Sequence, residues 1–210
     1  MFTRKEKYIV KDLCSLICNM DKISYVQNKD ENSFRPLDVE SDSEELTYYK
    51  SQELSYLLQL DLLGNGFYKG VFNIGNRYVT KVLLNKEHTI TIMKEVLLYK
   101  YIERECPKLL SLLCPIVAYG EDFVLMEKAE PCDLNCTIRN YHIDCILKLF
   151  ENYGIKFNDL KERKDNFGII NGKIVITDYD SWGFIFREKI HSLCNLKKLC
   201  GIRYEFRYKD

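Results

Sequence analysis

The run Tyr78-Val79-Thr80-Lys81-Val82-Leu83-Leu84 reads as a strand with one lysine among apolar residues. Strand side chains alternate faces, so Lys81 shares its face with Val79 and Leu83. Fourteen residues after Lys81, the helical run 89–102 carries Glu95 in an apolar stripe. Ile92, Leu98, Tyr99 and Ile102 are its i−3, i+3, i+4 and i+7 neighbours. Taken singly, Lys81 reads as a side chain snorkelling to solvent and Glu95 as the edge of a stripe. Two opposite charges set in apolar surface on adjacent elements have one economical solution, which is to pair. That pairing constrains the fold, because it ties the helix to the sheet.

The surrounding pattern gives the layers. Strands are expected at 58–63, 70–74 and 77–84, the last two joined by a turn at Asn73-Ile74-Gly75-Asn76. A helix follows over 87–104, then strands at 116–119 and 122–127. A second helix fits 141–152. Strands at 167–170 and 173–178 flank a turn at Asn171-Gly172. The order is α+β, in two unequal layers. Ahead of it, apolar positions at Ile9, Leu13, Leu16 and Ile17 fit a short helix over 5–20. The acidic segment 38–45 reads as a solvated linker. The expected organisation is an N-terminal helix and acidic linker over 1–47, a first lobe over 48–128 and a second over 129–210.

Lys+Arg and Asp+Glu each total 31, so the chain lacks the basic excess that supplies affinity for nucleic acid or membrane surfaces. No apolar run is long enough to span a bilayer. A monomer is expected. The compartment is left open. The N-terminus is too charged for a signal peptide, which points to the cytoplasm, while nine cysteines fit either buried thiols or disulfides. No C-x-x-C spacing supports a zinc site.

A third ionisable residue, Asp178, ends a strand on the face of Ile174 and Ile176, with Asp180 as its rival. A carboxylate there is a common metal or catalytic position and also a common cap.

A glycine loop, strand lysine, helix glutamate, Asp/Asn loop and strand-terminal Asp occur here in the order of protein-kinase landmarks. The phosphate-loop pattern is met by Gly64, Gly66 and Val71, with Lys69 where the third glycine stands. This G-x-G-x-x-K-x-V spelling resembles the secretory-pathway, cysteine-rich kinases related to vertebrate lonesome kinase. The segment Tyr153–Asp180 resembles a catalytic loop followed by the magnesium strand. Asp159, Leu160 and Lys161 match D-L-K. Phe157-Asn158 stand for His-Arg. Asn166 lies seven residues after Asp159 where the family has five, and Asp178-Tyr179-Asp180 replaces D-F-G. The run Phe123–Pro131 resembles the strand entering the adenine hinge at Glu127 to Ala129.

The resemblance implies a two-lobed protein-kinase-like fold, with an antiparallel-sheet N-lobe carrying one helix and a reduced, mainly helical C-lobe. It also implies ATP with Mg2+ or Mn2+ and a protein substrate or partner. Gly64, Gly66, Lys69, Val71, Lys81, Glu127 and Ala129 would bind nucleotide. Asn166 and Asp178 would bind metal. Asp159 would accept the proton of the acceptor hydroxyl, Lys161 would steady the transferring phosphoryl, and Glu95 would hold Lys81. Lys69 would add charge at the loop tip, although a lone turn lysine reads as solvent-exposed. No A-P-E motif follows Asp180. One amphipathic helix is expected in the tail, through Ile190, Leu193, Leu196 and Leu199/Cys200. The altered Phe157-Asn158 and the longer loop also fit a pseudokinase that binds nucleotide or acts as a scaffold.

Overall fold

The computed structural model describes residues 25–28, 33–36, 43–66, 68–84, 90–120, 122–133, 136–158, 160, 164–185 and 205–206. The expectations for the 5–20 helix, the tail helix, Asp159 and Lys161 lie outside these residues.

A small hairpin pairs β1 (Tyr25–Asn28) with β2 (Ser33–Pro36). Helix α1 (Ser43–Leu58) follows. It begins inside the acidic segment. Its buried stripe is Thr47, Ser51 and Leu54. The strand expected over 58–63 is therefore corrected. Leu58 ends a helix, and Gln59 takes φ +51 just beyond it. Leu60 N–H donates to Ser55 O at 3.1 Å, closing the last turn as a left-handed C-terminal residue allows.

The main sheet is built from β3 (Leu62–Asn65), β4 (Lys69–Ile74), β5 (Tyr78–Leu83), β6 (Ile116–Tyr119) and β7 (Phe123–Glu127). All its pairings are antiparallel, in the order β6-β7-β5-β4-β3, with a short strand at Glu205–Phe206 outside β6. Helix α2 (Ile90–Glu105) connects β5 to the rest of the sheet. The sheet is covered on both faces. Phe72, Ile74, Tyr78, Val82, Phe123 and Leu125 pack with Leu54 of α1. Leu83, Val124, Met126 and Tyr119 join Ile92, Val96, Leu98 and Ile102 of α2. Periodicity alone gives one helix for this lobe, whereas the sheet carries two.

Gly70 of β4 is where α1 crosses most closely. A Cβ there would lie 2.6 Å from Ser51 Oγ and 2.8 Å from Phe72 Cε2. Glycine at this position therefore has a packing reason, which is close approach of a helix to a strand.

The second lobe starts with a short strand β8 (Glu130–Pro131) and helix α3 (Cys136–Asn152). Strand β9 (Ile155–Phe157) pairs with β12 (Trp182–Phe184). Strands β10 (Phe167–Ile170) and β11 (Lys173–Ile176) form the expected hairpin, and β10 also pairs with β8. Asn171 and Gly172 both take positive φ, +51 and +74, as the tightest hairpin turn requires. Phe150 of α3 meets Phe157 edge-on at 5.2 Å, fixing the helix beneath β9. The antiparallel sheet, with the long helix inserted after β5, is a mixed α+β arrangement, as expected from the order of elements. No helix among the described residues is long and apolar enough to cross a membrane. Among the described residues, Cys114, Cys132 and Cys145 form no disulfide.

Candidate functional site

The hairpin register puts Lys81 opposite Val71 and Lys69 opposite Leu83. Cross-strand partners share a face, so both lysines and Val71 point from the sheet toward α2. There Lys81 Nζ donates to both oxygens of Glu95, at 2.9 Å each. It also donates to Thr177 O at 2.9 Å and to Asp178 Oδ1 at 3.0 Å. Glu95 is 0% exposed. The three ionisable residues singled out from the sequence thus converge on one place between the sheet, α2 and the end of β11.

Lys69 joins them. Its Nζ donates to Glu95 Oε1 at 3.0 Å, Asp178 Oδ1 at 3.1 Å and Asp180 Oδ2 at 2.8 Å. The reading of Lys69 as a solvent-exposed turn lysine is overturned, since its side chain is only 12% exposed. Strand alternation is the reason, because Lys69 and Lys81 face the same side. Asp180, considered as a rival to Asp178, sits in the cluster beside it.

Two anchors hold the carboxylates in position. Tyr179, between the two aspartates, is fully buried and donates its hydroxyl to Cys114 O at 3.1 Å. Trp182 Nε1 donates to Lys94 O at 2.9 Å, tying the segment after Asp180 to the backbone of α2 one residue before Glu95. Sequence reasoning did not single out Trp182. The signal was thin, because a buried indole needs an acceptor but nothing local says which.

The charges act on one another. Burial pushes the Glu95 carboxyl up to about 7, against the pull of Lys81 and Lys69. Burial also acts to raise Asp178, but Lys81 and Lys69 outweigh it and hold that carboxyl well below the usual range. For Lys69 the desolvation that lowers an ammonium is overcome by Glu95, Asp178 and Asp180, so it titrates well above its ordinary value. A neutral Glu95 can donate to Asp178, which relieves the repulsion between the two acids.

Oxygens of Glu95, Asp178 and Asp180 lie within 4.8 Å of one another. A small all-oxygen set of this kind suits a hard divalent cation such as Mg2+ or Mn2+. The seated Lys69 ammonium is a stand-in cation showing that positive charge is stabilised there, so the donor set fits the group. Asn166 is placed next to this region through its backbone. Its carbonyl accepts from Thr177 N–H at 2.8 Å, and the Thr177 hydroxyl donates to Asp165 O at 3.0 Å.

Gly64 and Gly66 lie at the end of β3. A Cβ on either would meet nothing within 4 Å, and neither takes positive φ. Packing and backbone conformation within the described residues therefore give no reason for glycine there. Glu127 and Ala129 lie where β7 leaves the sheet, with Glu127 O accepting from Cys114 Sγ at 3.1 Å. Ala129 backs onto Gly168, where a Cβ would come within 2.5 Å of Ala129 Cβ. Asn158 N–H donates to Ser181 O at 3.0 Å, so the segment leading to Asp159 is stitched to the one following Asp180.

Among solved structures, the streptomycin–ATP–APH(2″)-IIa ternary complex is similar to this chain, with 14% identity and a TM-score of 0.40. The similarity covers 70% of this chain and 73% of that one. No protein-family model and no curated protein matches the chain.

Proposed function

We propose that the chain binds a nucleoside triphosphate with a divalent cation and transfers its terminal phosphoryl group to a hydroxyl, with a protein as the acceptor. The observation that carries this reading is the convergence of Lys81, Glu95 and Asp178, contributed by β5, α2 and the end of β11. Phosphoryl transfer asks the protein mainly for positioning and charge stabilisation. A buried lysine held by a glutamate can orient phosphates, and Asp178 with Asp180 can hold a metal beside them. Gly64 and Gly66 support the reading because glycine there is explained by a ligand approaching the backbone. In this scheme Asn166 is a further metal ligand. Asp159 takes the acceptor proton and Lys161 steadies the transferred group. Glu127 and Ala129 offer backbone groups to the base. The cation, when bound, neutralises charge on the phosphate oxygens.

The spelling Gly64-x-Gly66-x-x-Lys69-x-Val71 supports kinship with the secretory-pathway kinases. A second reading, a pseudokinase that holds nucleotide without turnover, is favoured by one observation. Phe157, where the family has His, is buried against Phe150 and paired with Trp182 in β9–β12, which is a packing role. Labelled-phosphate transfer from ATP to a protein mixture, with Mg2+ or Mn2+, separates the two. Transfer abolished by Asp159→Asn and by Lys81→Met supports the enzyme. Binding of ATP without transfer supports the pseudokinase.

A further inference from the structure

We infer that Lys69 is the resident counter-ion of the Glu95–Asp178–Asp180 cluster, and that a divalent cation enters only by displacing its ammonium. This rests on the nucleotide-and-metal reading above and adds a role for a residue that the family pattern treats as a glycine position.

Three observations carry it. First, Lys69 Nζ contacts all three carboxylates at 2.8–3.1 Å, and those three supply the oxygens a cation would need. An ammonium and a metal cannot occupy the same point among three oxygens that lie within 4.8 Å of one another. Second, the charge count leaves little for a metal while Lys69 is seated. Two ammoniums face three acidic groups, one of them the buried Glu95. Removing Lys69 leaves Lys81 alone against the same three acids. Third, Lys69 is the lysine at the end of its strand. It stands at the start of β4, next to the β3–β4 turn, where added atoms at Gly64 and Gly66 would meet no neighbour within 4 Å. Lys81, by contrast, is anchored in mid-strand and also bonded to Thr177 O. Lys69 is therefore the cation that can be exchanged and Lys81 the one that stays.

The device has a chemical consequence. Metal alone binds weakly because it must evict a well-placed ammonium. Metal arriving with a polyphosphate binds better, because the anion receives the released Lys69. The site would thus discriminate metal–nucleotide from free metal.

The test uses the full chain without nucleotide and Mn2+ as the probe, with free Mn2+ followed by electron paramagnetic resonance and melting by thermal shift. Lys69→Met should bind Mn2+ at least tenfold more tightly than the wild type. In chelator it should melt several degrees lower, and Mn2+ should restore much of the difference. Equal Mn2+ affinity in the two proteins overturns the proposal. A second measurement needs no variant. In the wild type, acylation of Lys69 read by mass spectrometry should be slow in chelator and accelerate as saturating Mn2+ is added. Unchanged reactivity overturns the proposal even if Lys69→Met fails to fold. If Mn2+ competes with Lys69 but ATP does not bind, the nucleotide reading fails and this inference stands.

Discussion

Lys69 and Lys81 share one carboxylate oxygen, Glu95 Oε1, at 3.0 and 2.9 Å. Two cations meeting on a fully buried acid make Glu95 the point where the glycine hairpin, the sheet and α2 are tied together. Loss of Glu95 leaves two ammoniums with fewer partners, and loss of either lysine leaves the acid less compensated.

Breaking a buried pair from one side costs roughly 3–5 kcal/mol, because the remaining charge is stranded. Lys81→Met and Glu95→Leu should each destabilise on that scale. The double variant should lose markedly less than the sum, since it removes both members of the pair and leaves Lys69 and Asp178 bonded to each other. Urea denaturation of the four proteins checks this. Additive losses would show that the pair is not coupled.

The pH dependence has a definite sign. Glu95 titrates at about 7 in the folded chain against an ordinary value of 4.5, so the folded state keeps a proton the unfolded state has released. Stability from this group is highest at low pH and declines as pH rises from about 4.5 to 7. Asp178 works the other way. Its contribution is in place above the ordinary aspartate value and is lost only in stronger acid. The Lys69 contribution is lost only in strong base. Subtracting the stability profile of Glu95→Gln from that of the wild type across pH 4.5–8 should leave a falling curve. A flat or rising difference would contradict the assignment.

The glycines divide into two kinds. Gly70→Ala places a Cβ against Ser51 Oγ and Phe72, so it should destabilise by about 1–3 kcal/mol as overpacking does. Gly64→Ala and Gly66→Ala have open space and should change stability by less than about 0.5 kcal/mol. If the hairpin covers a nucleotide, those two should weaken ATP binding while Gly70→Ala acts mainly on folding. Melting temperature and ATP affinity measured together on the three variants distinguish the cases.

Much of this was legible in the chain. Lys81 and Glu95 stood out because a charge inside an apolar stripe is conspicuous at either period, 2 or 3.6. The β4–β5 and β10–β11 hairpins were readable from alternation and from Gly75 and Asn171-Gly172. Helix α1 was not, because its buried stripe is Thr47, Ser51 and Leu54, and hydroxyls leave no apolar period to detect. Those small side chains face the sheet where Gly70 lets the helix come close, a long-range reason invisible within either segment. The inward turn of Lys69 followed from the same alternation that gave Lys81, but its position at a turn pointed to solvent. Trp182 reaching Lys94 O is a contact across 88 residues, which local patterning cannot supply.

Lys81, Glu95 and Asp178 are proposed to form one nucleotide–metal site. Calorimetric titration of ATP into the full chain with Mg2+, compared with Lys81→Met and Asp178→Asn, tests it most directly. Binding by the wild type, weakened at least tenfold by either substitution and lost when Mg2+ is chelated, is the predicted result. Absence of ATP binding by a folded wild-type chain, or binding indifferent to both substitutions, would contradict it.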